Sequence, residues 1–259
     1  LLKQDKTYVM YGFHYLIYRY IFTTSNSRFL NLIFGDSSFI TYYLTRIGYN
    51  LSKIMQTGSN FGTNQKHDIP FYCEIGTGTM VSDGLSMINA QLSSSSFKLS
   101  KVVVGPNNYL GNDLYYPSGA KVGNNCLIAT KAMIPIDGPV RENTGLLGSP
   151  CFEIPRATSR DKRIATMDES VQQQRIKQKN IANLFTVTSF LFFQWLFIYS
   201  VLLMGYAIWQ LYEPYGIFAL VGGQIIVILY TIAYFVFVER LGRGFRKLKP
   251  TVCSIYDPY

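Results

Sequence analysis

The sequence predicts a parallel β-helix followed by a pair of membrane-spanning helices. The β-helix is predicted by a six-residue period, in which an aliphatic or aromatic residue returns at about every sixth position from Ile75 to Ile136. The membrane helices are predicted by two long runs without charged residues near the end of the chain. A six-residue period matches neither the helical repeat of about 3.6 nor the alternation of a plain strand. It is typical of short parallel strands that are joined by turns and stacked in coils.

The register of the period predicts which side chains fill the β-helix. With about 18 residues in each coil, the repeat predicts roughly three coils whose leading side chains point inward. The first half slips by one residue before Val104, whereas the second half is unbroken. The leading residues are Ile75, Val81, Met87, Ser93 and Leu99, followed by Val104, Leu110, Tyr116, Val122, Ile128 and Ile134.

Composition favours contact with a membrane over free solubility. Aromatic residues make up 15% of the 259 residues, and charged residues make up only 15%. The net charge of +9 is not laid along a recognisable nucleic-acid-binding element, so we expect no nucleic-acid partner. The four cysteines have no metal-ligand spacing, and we expect neither a disulfide framework nor a metal site. We expect the opening and closing residues to be cut ends within a longer protein.

Two charge-free runs predict the helix pair. Leu184–Leu211 and Tyr215–Val238 each exceed the roughly 20 residues that cross a bilayer. We expect residues 184–239 to form an antiparallel hairpin that turns at Glu213-Pro214. Basic residues flank both outer ends but not the turn. The positive-inside rule therefore predicts a multi-pass protein of the cytoplasmic membrane, with its β-helix on the cytoplasmic side.

The remaining segments flank these two parts. Residues 1–55 are expected to be an aromatic-rich helical segment, packed on the β-helix or lying at the bilayer interface. Residues 56–157 are expected to form the β-helix and residues 158–183 a charged amphipathic connector. Thr166-Met-Asp-Glu169 has the pattern of a capping box, which predicts a helix start. Residues 240–259 are expected to be a basic tail that leads into a following unit.

The end of the predicted β-helix resembles a known family. Gly145-Leu-Leu-Gly-Ser-Pro-Cys-Phe-Glu-Ile-Pro-Arg156 is similar to the Gly-x-Pro closure of left-handed β-helix acyltransferases of the hexapeptide family. The resemblance implies a left-handed parallel β-helix built of hexapeptide repeats. It also implies that Gly148, Ser149 and Arg156 lie near the pantetheine arm of an acyl donor.

A longer resemblance covers Phe34 to Asp161. Its motifs are Phe34-Gly-Asp-Ser-Ser38, Gln56-Thr-Gly-Ser-Asn-Phe-Gly62, Gly78-Thr-Met-Val-Ser-Asp-Gly-Leu-Ser86, Leu110-Gly-Asn112, Tyr116-Pro117, Gly123-Asn-Asn-Cys-Leu127, Thr130-Lys131 and Ile136-Asp-Gly138. They resemble the membrane-embedded C-terminal region of non-ribosomal peptide synthetases of the ε-poly-lysine synthetase type. The resemblance implies amide formation between an amino-acid amine and an aminoacyl thioester. The thioester would be carried by phosphopantetheine on a carrier domain. Adenylation and carrier domains, tandem β-helix domains and membrane lipid are the implied partners.

Aminolysis requires a base for the amine and hydrogen-bond donors for the oxyanion. Hexapeptide acyltransferases commonly use a histidine as the base, but no histidine follows His67 in this chain. Our catalytic candidates are therefore His67 as base, Asp83 as base or amine anchor, and Asn89 as oxyanion donor. The substrate-binding candidates are Asn112, Tyr116, Asn125 and Lys131.

Each candidate also has a structural interpretation. Carboxylates and asparagines often satisfy the backbone groups of turns, and a histidine can fix a loop. Tyr116 occupies a leading position that is typical of a core residue. A lysine such as Lys131 is more typical of the solvated surface. Cys126 is not expected to be a nucleophile, because nothing near it in the sequence would lower the pKa of its thiol.

Two other functions remain open on the sequence. The first is a membrane-bound hexapeptide acyltransferase that uses acyl-CoA or acyl-carrier protein. The second is a non-catalytic β-helix scaffold that braces the membrane helices, which the missing histidine favours.

Overall fold

The computed structural model describes residues 1–35, 37–51, 56–57, 62, 64–156 and 169–245. The chain divides into two compact units, Leu1–Gln174 and Arg175–Tyr259, and each is described by itself. The first three residues of the predicted capping box and most of the basic tail lie outside the described residues. So does most of the Gln56–Gly62 motif.

The first unit is built mainly of short strands. Its three helices are α1 (Phe13–Ser25), α2 (Arg28–Phe34) and α3 (Ile40–Ile47), and a 3₁₀ turn spans Pro70–Tyr72. The described strands are β1 (Thr7–Val9), β2 (Asn50–Leu51), β3 (Gln56–Thr57), β4 (Lys66–His67), β5 (Cys73–Ile75), β6 (Met80–Val81), β7 (Ser86–Ile88), β8 (Ala90–Leu92), β9 (Ser96–Leu99), β10 (Val102–Val104), β11 (Tyr109–Leu110), β12 (Tyr115–Pro117), β13 (Leu127–Ile128), β14 (Thr144–Leu147) and β15 (Phe152–Pro155).

Parallel pairing between successive coils confirms the β-helix. One face stacks β2, β5 and β10, a second stacks β3, β6, β11, β13 and β14, and a third stacks β4, β7 and β12. The leading residues Ile75 and Val104 are direct partners, as are Leu110 and Ile128. Val122 and Ile128 are both buried, so the predicted inward direction is confirmed. The left hand of the coil stays a prediction of the hexapeptide resemblance.

The predicted leading positions Ser93 and Leu99 are wrong. After Met87 the chain leaves the coil as an antiparallel hairpin, β8–β9, whose second strand also pairs with β1. Ser93 is exposed in the connection of this hairpin, and Leu99 is buried in a separate cluster with Phe97. The one-residue slip in the hexads is therefore an inserted hairpin, and Val104 begins the next coil.

The segment of residues 1–55 is helical only in part. It also contains β1 and ends with β2, which pairs with β5 and belongs to the first coil. The β-helix consequently begins before the expected boundary at residue 56. Ile40 and Leu44 of α3 are buried in the core that fills the coils, whereas Tyr18 of α1 belongs to the second cluster with Phe97.

The corners of the coils repeat a left-handed backbone. Asn107, Asn125 and Asn143 have φ of 57°, 55° and 56°, and Asp113 and Lys131 have φ of 53° and 57° at a second corner. Asparagine and aspartate tolerate this conformation better than other residues with a side chain, because they hydrogen-bond locally. Within each set the residues lie one coil apart in sequence, so the corner residues follow the coil repeat independently of the apolar residues.

The second unit is dominated by two long helices, α4 (Glu169–Tyr215) and α5 (Ile217–Gly242). Both are long and apolar enough to cross a bilayer. They turn at Gly216, so the predicted turn at Glu213-Pro214 is wrong. Pro214 stays within the last turn of α4, and Gly216 ends the helix with φ of 56°, which a residue without a Cβ adopts readily.

The two helices pack antiparallel, as expected. The Tyr234 hydroxyl donates to the Phe193 carbonyl at 2.6 Å, and the Ser200 and Tyr230 hydroxyls share a hydrogen bond. Further along, Gly223 lies directly against the Ile208 side chain. A small residue at such a crossing lets the two backbones approach closely.

Gly223→Ala is expected to destabilise the helix pair, because its new Cβ would lie 2.5 Å from Ile208 side-chain carbons. Overpacking of this kind costs about 1–3 kcal/mol. Gly222→Ala is the matched control, since a Cβ there meets nothing within 4 Å. Unfolding of the detergent-solubilised chain by sodium dodecyl sulfate measures both variants. Equal midpoints for the two would contradict this packing.

Candidate functional site

His67 lies inside the first coil. Its partner across the β4–β7 pair is the leading residue Met87, and its side chain is only 3% exposed. The ring packs edge-on against Tyr49 at 5.2 Å between centroids, and neither ring nitrogen has a hydrogen-bond partner among the described residues. Burial lowers the pKa of the imidazole from 6.5 to about 4. The predicted role of His67 as a base is therefore not favoured, because its register turns the ring into the core.

Asn89 stands where the β8–β9 hairpin leaves the coil, and it is fully buried. Its Oδ1 accepts from the Ile69 N–H at 3.2 Å and from the Cys73 thiol at 3.3 Å. Its Nδ2 donates to the carbonyls of Tyr72 at 3.0 Å and Ser100 at 3.2 Å. The amide thus binds the chain on both sides of the hairpin. We therefore assign the Asn89 side chain the role of anchoring this hairpin, and not that of a hydrogen-bond donor to an oxyanion.

Asp68 is a second anchor of the hairpin, and sequence reasoning missed it. Its carboxylate accepts from the backbone N–H groups of Asn89 at 2.8 Å and Ala90 at 2.9 Å. It also accepts from the Tyr18 hydroxyl at 3.1 Å, which connects the hairpin to α1. This role is visible only in the folded structure, because no local sequence spacing relates Asp68 to Asn89.

Tyr116 and Cys126 belong to the core. Both side chains are completely buried, and the Tyr116 hydroxyl has no partner among the described residues. Burial raises the pKa of the Tyr116 hydroxyl and of the Cys126 thiol. A raised thiol pKa agrees with the expectation that Cys126 is not a nucleophile. This geometry does not favour the predicted contact of Tyr116 with a substrate.

The three residues expected around the pantetheine arm are separated. Gly148 and Ser149 lie in the turn between β14 and β15, beyond the Leu147–Phe152 pair. Arg156 follows β15 at the other end of this hairpin, where its Nε donates to Asn125 Oδ1 at 2.8 Å. Asn125 in turn donates to Asn143 Oδ1 at 2.8 Å. Arg156 and Asn125 therefore share a corner that is remote from Ser149.

Another corner brings three predicted residues together. The Asp83 N–H donates to Asn112 Oδ1 at 3.1 Å, and the Lys131 N–H donates to the Asn112 carbonyl at 2.9 Å. The Asp113 N–H donates to the Asp83 carbonyl at 2.8 Å. We call Asp83, Asn112, Asp113 and Lys131 the charged corner. Asn64 extends it, because its Nδ2 donates to both carboxylate oxygens of Asp83.

Glycine makes room for the Asp113 carboxylate at this corner. A Cβ at Gly84 would lie 2.4 Å from Asp113 Oδ1, and the φ of Gly84 is 76°. The Lys131 ammonium lies 3.9 Å from Asp113 Oδ2, with both side chains more than half exposed. An exposed pair at this distance contributes little to stability. Both charges consequently remain accessible to a ligand.

A groove of about 720 Å³ runs over the outer side of the third face, beside the charged corner. We call it the β12 groove. Its walls are mainly apolar, and Asp113, Lys131 and Ser149 supply polar groups. The Met133 N–H donates to the Gly148 carbonyl at 2.9 Å, which fixes the closing turn beside the groove. The lining residues are Ile88, Asp113, Tyr115, Pro117, Lys131, Ala132, Met133, Ile134, Ile136 and Ser149.

Sequence reasoning found Lys131 and Ser149 of this groove but missed Tyr115 and Asp113. Tyr115 precedes the inward residue Tyr116, so strand alternation turns it outward. The aromatic residue directly before an inward position, as in Tyr115-Tyr116, was a usable signal. In the described part of the chain, no three His, Cys, Asp or Glu side chains converge to hold a metal ion.

Comparison with known proteins gives distant structural similarity. A scan against protein-family models finds no match. A search of curated proteins finds none either. Among solved structures, a maltose O-acetyltransferase from Clostridium difficile 630 is 16% identical, with a TM-score of 0.46 over 59% of this chain and 92% of that chain.

Two further structures are similar at the same level. A galactoside acetyltransferase in complex with coenzyme A is 12% identical, with a TM-score of 0.41 over 61% of this chain and 90% of that chain. A hexapeptide-repeat-containing acetyltransferase from Vibrio cholerae is 10% identical, with a TM-score of 0.39 over 56% of this chain and 93% of that chain. The β-helix described above rests on the strand pairing of this chain itself.

The buried His67 is expected to make stability depend on pH. Its folded-state pKa is about 4 against 6.5 in an exposed histidine, so between these values the unfolded chain binds the extra proton. Stability is therefore lost as pH falls from 6.5 to 4, by about 3 kcal/mol at 1.36 kcal/mol per unit. Urea unfolding at pH 7 and pH 4.5 measures the loss. His67→Leu should flatten the dependence of the free energy of unfolding on pH. An unchanged pH dependence in this variant would contradict the assignment to His67.

Asn89→Ala is expected to destabilise the first unit by about 3 kcal/mol. The substitution leaves the Ile69 N–H and two carbonyls buried without their partner, and each such group costs about 1–3 kcal/mol before relaxation. Asn112→Ala serves as the control, because its exposed side chain accepts a single described backbone hydrogen bond. Urea unfolding compares them. A smaller loss for Asn89→Ala than for Asn112→Ala would refute the anchoring role.

Proposed function

We propose that this chain is the acyl-transfer module of a membrane-bound non-ribosomal peptide synthetase, and that the β12 groove is its active site. The observation that carries the proposal is the combination within one groove of apolar walls, an ammonium and a carboxylate. Such a groove is suited to a mostly apolar thioester arm whose reactive end meets a charged amino-acid substrate. The resemblance of the sequence to the ε-poly-lysine synthetase type supports amide formation as the reaction.

The residues present fit a phosphopantetheine arm. Tyr115 and Met133 offer exposed apolar surface for its aliphatic part, and Lys131 offers a cation for the carboxylate of the amino-acid substrate. The closing turn at Gly148 and Ser149 lies beside the same surface. When bound, the arm supplies the acyl group as an activated thioester. The carrier and adenylation domains that would load it, and tandem β-helix domains beside it, are partners under this proposal.

The reaction makes one demand on the charged corner. The substrate amine attacks the thioester carbonyl, a C–N bond forms, the C–S bond breaks, and the thiol leaves with a proton that the amine gives up. An incoming ammonium must first be held and deprotonated. We assign this role to the Asp113 carboxylate, which lines the groove, with Asp83 beside it at the same corner. Asn112 positions Asp83 and Lys131, because its Oδ1 accepts from the Asp83 N–H and its carbonyl accepts from the Lys131 N–H.

Under this proposal α4 and α5 cross the cytoplasmic membrane as an antiparallel pair. Their apolar length supports crossing. Basic residues precede the apolar part of α4 and end α5, including Arg175, Lys179 and Arg240, whereas Glu213 is the single charge near the turn. By the positive-inside rule, both outer ends and the β-helix then lie on the cytoplasmic side.

A non-catalytic scaffold is the second candidate function. It is favoured by the structural use of His67, Asn89 and Tyr116, all of which are buried. Asn125 is likewise engaged with Arg156 and Asn143. A membrane-bound acyltransferase for acyl-CoA or acyl-carrier protein would use the same groove as the synthetase, and the acceptor amine distinguishes the two.

Met133→Arg is expected to weaken binding of acetyl-phosphopantetheine by about tenfold or more, because it places a charge in the apolar wall; tenfold corresponds to about 1.4 kcal/mol. Val103→Arg is the matched control: Met133 is 49% exposed and Val103, in β10 on another face, is 46% exposed. Calorimetric titration of the detergent-solubilised chain measures both. Acetyl-pantetheine, which lacks the phosphate, is the second thioester probe and should show the same loss with Met133→Arg, because the apolar wall contacts the arm and not the phosphate.

The full-length protein separates catalysis from scaffolding. Amide product should be lost with Met133→Arg and with Asp113→Asn, and retained with Val103→Arg. Undiminished product from both groove variants would favour the scaffold. Failure of the wild-type chain to bind either thioester probe would overturn the groove as a pantetheine site.

A further inference from the structure

Helix α1 is apolar on two opposite sides. Its inner side carries Tyr15 and Tyr18, whose rings lie 5.7 Å and 5.6 Å from the ring of Phe97 in the second core. A helix that packs on a core with one side normally presents polar residues on the other. The outer side of α1 departs from this pattern, so something other than the core has to account for it.

Large side chains cover the outer side. Phe13, Leu16 and Tyr20 recur at helical spacing and are all well exposed, Leu16 at 63%. Val9 and Tyr11, which directly precede the helix, are also exposed. We call these five residues the α1 apolar face. A run of exposed apolar residues of this size marks an interaction surface.

The charges around this face indicate an anionic partner. Residues 1–25, which contain this helix, carry three cations, Lys3, Lys6 and Arg19, and one acidic residue, Asp5. Asp5 accepts hydrogen bonds from Ser100 at 2.7 Å and from Gln4 at 2.9 Å. Arg19 leaves its guanidinium over the ring of Phe22, on the same helix as the apolar face. The surface is therefore apolar, aromatic and positively charged at once.

Lipid headgroups match this chemistry. Exposed tyrosines, aliphatic side chains and neighbouring basic residues are typical of helices that lie in the bilayer interface. Anionic headgroups attract each such cation near the surface. We propose that the α1 apolar face inserts into the headgroup region of an anionic bilayer. This inference rests on the proposed crossing of the bilayer by α4 and α5, which belong to the same chain.

Depth measurements on the full chain test this contact. The chain is reconstituted in nanodiscs of phosphatidylcholine with or without phosphatidylglycerol, after Cys151→Ser and Cys253→Ser remove the cysteines that are not buried or lie outside the described residues. Nitroxide labels are attached singly at Leu16→Cys, at Val103→Cys as an exposed control, and at Leu202→Cys in α4. Collisions with oxygen and with water-soluble Ni(II)EDDA report whether each label is in lipid or in water.

The expected result is loss of Ni(II)EDDA collisions at position 16 in phosphatidylglycerol nanodiscs, with position 103 fully accessible and position 202 shielded. Arg19→Glu should restore part of the Ni(II)EDDA access at position 16. Position 16 as accessible as position 103, with 202 shielded, would overturn the contact while leaving the spanning helices intact. An accessible position 202 would overturn both the spanning helices and this inference.

Two further results would contradict this proposal. One would identify a different partner for the α1 apolar face, and the other would remove the preference for anionic lipid. Shielding of position 16 in detergent, together with a dimeric mass, would identify a second copy of the chain and overturn the lipid contact. Equal shielding in nanodiscs with and without phosphatidylglycerol would overturn the anionic preference.

Discussion

Each coil of the β-helix has to close three corners within about 18 residues, and this constraint shapes most of the first unit. The chain can turn so sharply only where the backbone enters the left-handed region, as at Asn107, Asn125 and Lys131. The strands between corners are only two to four residues long, so they depend on the next coil for partners. Corner residues therefore serve the fold first, and chemistry is confined to what their side chains can do from that position.

The residues of the charged corner have to serve both the fold and the proposed chemistry. Asp113 and Lys131 hold left-handed positions, yet their side chains project from the turn and line the β12 groove. Asn125 has the same backbone conformation, but its side chain is engaged with Arg156 and Asn143. The difference between a structural corner and a candidate site is thus made by the neighbouring coil, which supplies a partner in one case and open surface in the other.

The parts of the fold that follow a local rule were predictable from sequence. The hexads identify Val122 and Ile128 as inward because each coil repeats the same interval between buried residues. Ser93 and Leu99 break the rule, since a hairpin inserted in the coil alternates with a period of two and can meet a hexad position by coincidence. Likewise α4 continues through Glu213-Pro214 and ends at Gly216, because Gly216 adopts the positive φ of 56° that a residue without a Cβ reaches readily.

The site was less predictable, because its residues are related only through the stacking of coils. His67 precedes the first regular hexad, and nothing in its local sequence shows that it pairs with Met87. Asp68 and Asn89 face each other across the base of an insertion whose presence the repeat conceals. The groove combines outward residues of β12 with the closing turn after β14. Its lining could be assembled only once the register between the coils was known.

The direction of β15 determines where the β-helix can grow. Every described pairing within the coils is parallel until β14, and β15 then runs antiparallel to it and covers the free edge of that face. A paired edge cannot accept a strand from another β-helix. On this face, an additional coil would have to be inserted before β14, for example between β13 and β14, as a complete repeat that preserves both neighbours. Lengthening by duplication is thus possible inside the domain, while a second stack could meet this face only through the antiparallel strand β15 and not through the parallel edge of β14.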